Sequence, residues 1–93
     1  MHTIIKFRAM TATESKEIKT ELKAQGLKFR VQLKNGRVYL YNGENVMTID
    51  QKTIVRDVLV LLGYVNCCGI SFSNKEFTDP SRIYNGMPVC ALA

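Results

Sequence analysis

Basic residues alternating with aromatic ones form the pattern in this chain best suited to chemistry. Lys28, Arg30 and Lys34, then Arg37, Tyr39 and Tyr41, recur at two-residue spacing within residues 27–41, and Lys6 and Arg8 show the same spacing near the start. Residues two apart on a strand share a face, so these side chains would set cations beside π-faces on one side of a sheet. Single-stranded nucleic acid is recognised by that combination, its phosphates by the cations and its bases by the rings. An acidic protein surface would meet the same cations. The plain alternative is a solvated face on which Tyr and Arg pair across strands. A second basic row, Lys16, Lys19 and Lys23, runs at helical spacing.

Other chemistries have little to work with. His2 is the only histidine, and no His/Asp/Ser or His/Cys spacing offers a nucleophile with its base. Without a second histidine or a C-x-x-C pair, a zinc site is not expected. No glycine-rich phosphate loop occurs. Cys67 and Cys68 are vicinal and Cys90 stands apart, which is no disulfide framework. No cation adjoins the vicinal pair in sequence to lower a thiol pKa, so reduced, buried, structural cysteines are expected. The chain reads as a non-enzyme without a cofactor.

The elements that must position the basic residues have clear local signals. Thr11-x-x-Glu14 has the spacing of a capping box, with Thr13 as a competing cap. Gly26 suits the left-handed position past a helix end, which makes Leu22 and Leu27 the contact of a Schellman motif. At 100° per residue Ser15, Ile18, Leu22 and Gln25 form a narrow stripe between a Glu14/Glu17/Glu21 ridge and the Lys16/Lys19/Lys23 ridge. Like charges at i,i+4 repel, so packing rather than intrinsic propensity must hold this helix. Beyond Gly26 the apolar positions alternate as Leu27, Phe29, Val31 and Leu33. Asn35-Gly36 is the strongest hairpin signal, and a two-residue loop pairs Lys34 with Arg37, Leu33 with Val38, Gln32 with Tyr39, Val31 with Leu40 and Arg30 with Tyr41.

Around this centre, Thr3–Ala9 reads as a strand with Ile5, Phe7 and Ala9 inward and Lys6 and Arg8 outward. Thr48-x-x-Gln51 opens a second helix whose face, Ile54, Val58, Leu61 and Leu62 with Val55 and Leu59, is broader, and Gly63-Tyr64 closes it. Val65–Phe72 reads as a strand, with Cys68, Ile70 and Phe72 on one side. The order β-α-β-β-α-β predicts an α+β, ferredoxin-like sandwich, an antiparallel sheet with both helices on one face. Residues 73–93 form an irregular C-terminal extension to the 1–72 core, with a possible edge strand at Val89–Leu92. Tyr84-Asn85-Gly86 echoes Tyr41-Asn42-Gly43 as repeated turn chemistry.

The 93 residues suit one domain, and a composition 46% hydrophobic and 23% charged is that of a globular protein. Net charge is +5, and residues 1–41 carry nine Lys/Arg against three Glu while residues 42–93 carry four against five acids. The basic half points to a polyanion or an acidic surface as partner. No apolar run exceeds Val58–Leu62 and no secretory pattern opens the chain, so a cytosolic protein without a membrane partner is expected, monomeric or dimeric.

Residues 14–41, ESKEIKTELKAQGLKFRVQLKNGRVYLY, resemble small phage, prophage and plasmid proteins and an accessory domain of large polyvalent phage proteins. There a helix ending in E-L-K-x-x-G runs into a basic, alternating strand pair. The likeness covers about a third of the chain well and the second helix in outline, and the C-terminal stretch from Ser73 departs from it. It implies a small mobile-element protein that binds nucleic acid or inhibits a host defence complex, anti-CRISPR proteins among them. On that reading the partner is a host protein or ribonucleoprotein complex.

Overall fold

The structure, a computed structural model, describes residues 4–93. His2 and Thr3, and with them the start of the expected first strand, lie outside the described residues. The chain runs through β1 (Phe7–Arg8), α1 (Ala12–Ala24), β2 (Arg30–Lys34), β3 (Arg37–Tyr41), α2 (Ile49–Leu62), β4 (Val65–Asn66), two short 3₁₀ turns (Lys75–Phe77 and Pro80–Arg82) and β5 (Pro88–Leu92).

Local signals act where they were read. Thr11 and Thr48 both cap with reciprocal bonds to Glu14 and Gln51. After α1, Leu27 N–H donates to Leu22 C=O at 2.9 Å and Gly26 N–H to Lys23 C=O at 3.0 Å, the two bonds of a Schellman motif. Asn35 and Gly36 take φ of 53° and 75°, and β2 and β3 pair from Lys34↔Arg37 to Arg30↔Tyr41 in the expected register.

The α+β class holds, with two helices and an antiparallel, curled sheet, but the strand order differs from the expected sandwich. The order is β1-β5-β3-β2, with β4 also on β5. The tail strand, expected at an edge, is central: Val89 lies opposite both Val38 and Asn66, while Ala91 and Leu92 lie opposite Arg8 and Phe7. In that position Val89, Cys90 and Ala91 are buried in succession on both faces, as suits a strand flanked on both edges. The expected strand Val65–Phe72 is shortened to two residues. Asn66 Oδ1 accepts from Cys68 N–H and Ile70 N–H at 3.0 and 2.9 Å, folding the chain into a turn instead of letting it extend.

The core joins Ile18 and Leu22 of α1, Val55, Val58 and Leu59 of α2, Val38 and Leu40 of β3, and Val89 and Ala91 of β5. Phe72, Phe77, Ile83 and Met87 close it from the stretch between β4 and β5, with the Phe72 and Phe77 rings edge-to-face at 5.2 Å. Several expected core residues lie elsewhere. Leu61 is 72% exposed and Ile5 49%, because α2 turns its Val55/Val58/Leu59 side inward and β1 is paired over two residues only. Leu33 is 37% exposed at the outer strand.

Candidate interaction surface

Lys19 and Lys23 leave α1 on the side facing the chain's return into β2, and there they meet Lys28 and Arg30. The cations line an open depression of about 520 Å³ with Leu27 and Phe29, and no acidic residue shares it. The Schellman turn produces this arrangement by reversing the chain within Gln25–Leu27, so that residues 28–30 run back beside the last helical turns. Phe29 is buried, which anchors the floor and leaves its neighbours Lys28 and Arg30 outward. Two basic rows that are separate in sequence, one helical and one alternating, thus form one groove. Lys16, a turn earlier on α1, is exposed outside it.

The remaining basic residues divide. Lys34 and Arg37 oppose each other at the hairpin end, and Arg37 borders a smaller depression of about 210 Å³ with Phe7, Arg8, Ala9 and Cys90. Lys6 is exposed, its carbonyl accepting from Ala93 N–H. Arg8 does not join the others on the open sheet face. The register Arg8↔Ala91 turns it to the helix side and turns Phe7, 39% exposed, to the open face, the reverse of the expected inward and outward sets. Both of its terminal nitrogens donate to the Glu14 carboxylate at 2.6 Å. The same carboxylate accepts from Thr11 N–H at 3.1 Å and from Tyr64 O–H at 3.2 Å. The Arg8 guanidinium holds Glu14 down to about 2, and burial, with the Glu14 charge beside it, pushes the Tyr64 hydroxyl up to about 12.

The tyrosines are less free than an open sheet face would make them. The Arg30 guanidinium lies 4.6 Å from the centre of the Tyr41 ring. The same ring packs on Gly86, where a Cβ would stand 2.9 Å from Tyr41 Cε1. Tyr39 is half-buried between its strand partners Gln32 and Pro88. The two Tyr-Asn-Gly segments adjoin: Asn85 Oδ1 accepts from Asn42 N–H at 2.7 Å, and Gly86 N–H donates to Leu40 C=O at 2.8 Å.

The chain matches no protein-family model, no curated protein and no solved structure. Among the described residues no helix is long and apolar enough to cross a membrane, and no three His, Cys, Asp or Glu side chains converge as metal ligands would. Cys67 and Cys68, expected inside, are exposed because the Asn66 turn carries them outward; only Cys90 is buried. The neighbouring Cys67 thiol raises the Cys68 pKa, and burial raises that of Cys90. Both shifts disfavour thiolates.

Proposed function

We propose that this protein is a non-enzymatic binding protein that docks on an acidic protein surface, inhibiting a host nucleic-acid-targeting complex by occlusion in the cytosol. The observation that carries the reading is the meeting of Lys19, Lys23, Lys28 and Arg30 around an apolar floor with no acid among them. Clustered cations with no acid among them, over half-buried Leu27, suit an interface where charge sets approach and orientation and an Arg anchor carries affinity. The likeness of residues 14–41 to mobile-element proteins supports a host defence complex as the partner. Nucleic acid would satisfy the same cations. However, Tyr41 has one ring face under Arg30 and its edge on Gly86, and Tyr39 is half-buried, which leaves little ring area for stacked bases.

Affinity capture from a host lysate, followed by mass spectrometry, tests the reading. Recovery of a nuclease or surveillance complex that survives nuclease treatment, and is lost in the Lys23→Glu/Arg30→Glu variant, is the expected result. Recovery that vanishes on nuclease treatment would replace it with direct nucleic-acid binding.

A further inference from the structure

β2 is the outermost strand of the sheet on the groove side, and its hydrogen-bonding edge is unpaired among the described strands. A two-residue hairpin loop makes Lys34 and Arg37 a pair that exchanges both backbone bonds, and pairs of that kind alternate along an antiparallel ladder. Gln32–Tyr39 and Arg30–Tyr41 are then bonded pairs as well. The N–H and C=O groups of Val31 and Leu33 consequently point away from β3. The edge carries no proline and no bulge, and β2 runs regularly over five residues. Of the usual devices that block an open edge, charge is the one present.

That charge discriminates between occupants. Two copies of β2 paired edge to edge would set Arg30 and Lys34 of one chain among the same cations of the other, which is unfavourable. An acidic strand meets no such barrier. We infer that β2 accepts an extended partner segment of alternating acidic and apolar residues, added to the sheet by backbone hydrogen bonds to Val31 and Leu33. Acidic side chains of that segment face Arg30 and Lys34 on the open side. Apolar side chains lie on the helix side beside half-buried Val31 and Leu33, which is 37% exposed with nothing from α1 covering it fully. At the Arg30 end the segment reaches the groove, where Lys19, Lys23 and Lys28 take a further carboxylate. Main-chain bonds supply affinity in such strand addition, and alternate side chains supply specificity. The inference rests on the proposed docking function and names the form of the partner: an extended acidic strand, not a folded patch.

The test uses the full chain, isotope-labelled, titrated with acetyl-(Glu-Val)₄-amide at low salt. The control is the same peptide N-methylated at every second residue. The expected result is salt-sensitive binding, slowed hydrogen exchange at the Val31 and Leu33 amides, and about tenfold weaker binding of the peptide methylated on the edge-facing residues, as loss of two backbone bonds implies. Leu33→Pro removes one outward donor without touching the β2–β3 ladder and gives a loss in the same direction. The methylated peptide keeps the inference testable if that variant does not fold. Equal binding of both peptides, abolished by Lys23→Glu/Arg30→Glu, would overturn strand addition while leaving the basic docking groove standing. Failure of both peptides to bind would remove both. An oligothymidylate that binds more tightly than the peptide, and leaves the two amides unprotected, would overturn the inference in favour of nucleic acid.

Discussion

A carboxylate that accepts from a guanidinium, a phenol and a backbone N–H is stabilised in its charged form, and Glu14 has all three partners. Its folded-state value of about 2 lies below the unfolded 4.5. The stability it contributes is therefore complete above that unfolded value and is lost as pH falls towards about 2. Because Arg8 is half exposed, water screens the pair and keeps its contribution small. Thermal melts between neutral pH and pH 2 should show an acid limb that is shallower in Glu14→Gln. An identical slope in both proteins would mean that the pair contributes nothing. In sequence, Glu14 was legible as half of a capping box; its bonds to Arg8 and Tyr64, the latter fifty positions away, were not.

At the scale of elements, each helix shows how far periodicity reaches. In α1 only Ile18 and Leu22 are apolar enough to face a core, so its buried stripe was legible. The second half of α2, Val58–Leu62, is apolar all round, and its neighbours choose the side. Leu59→Ala should cost about 2–5 kcal/mol in chemical denaturation and Leu61→Ala less than about 0.5, since Leu59 is fully buried and Leu61 is 72% exposed. The reverse order would mean that α2 is rotated from its position here. The hairpin turn offers a second check. Gly36 has φ +75° and an added Cβ would sit 3.0 Å from Ala9 Cα, so Gly36→Ala should cost about 1–3 kcal/mol. A neutral result in the same assay would show that the turn relaxes away from β1.

For the whole molecule, the central place of β5 makes the C-terminal residues indispensable. A chain ending at residue 87 loses the strand that β1, β3 and β4 all pair with, and no cooperative melt should remain by circular dichroism. A folded 1–87 fragment would show that the sheet closes without β5. Caps, the Schellman turn and the β2–β3 register were legible in the sequence because each depends on residues within a few positions of one another. The α+β class followed from the same signals. The sheet order was not legible, because Val89-Cys90-Ala91-Leu92 is a short apolar run that could lie at an edge or in the centre. Only the pairings to Val38, Val65 and Arg8, each distant along the chain, decide between them. The basic groove divides in the same way. Lys19 and Lys23 on one ridge and Lys28 and Arg30 on one strand were determined by local spacing, with the reversal at Gly26 between them. That they line one depression with an apolar floor was decided by tertiary structure, because Phe29 and Leu22 must both reach the core and so bring strand and helix together.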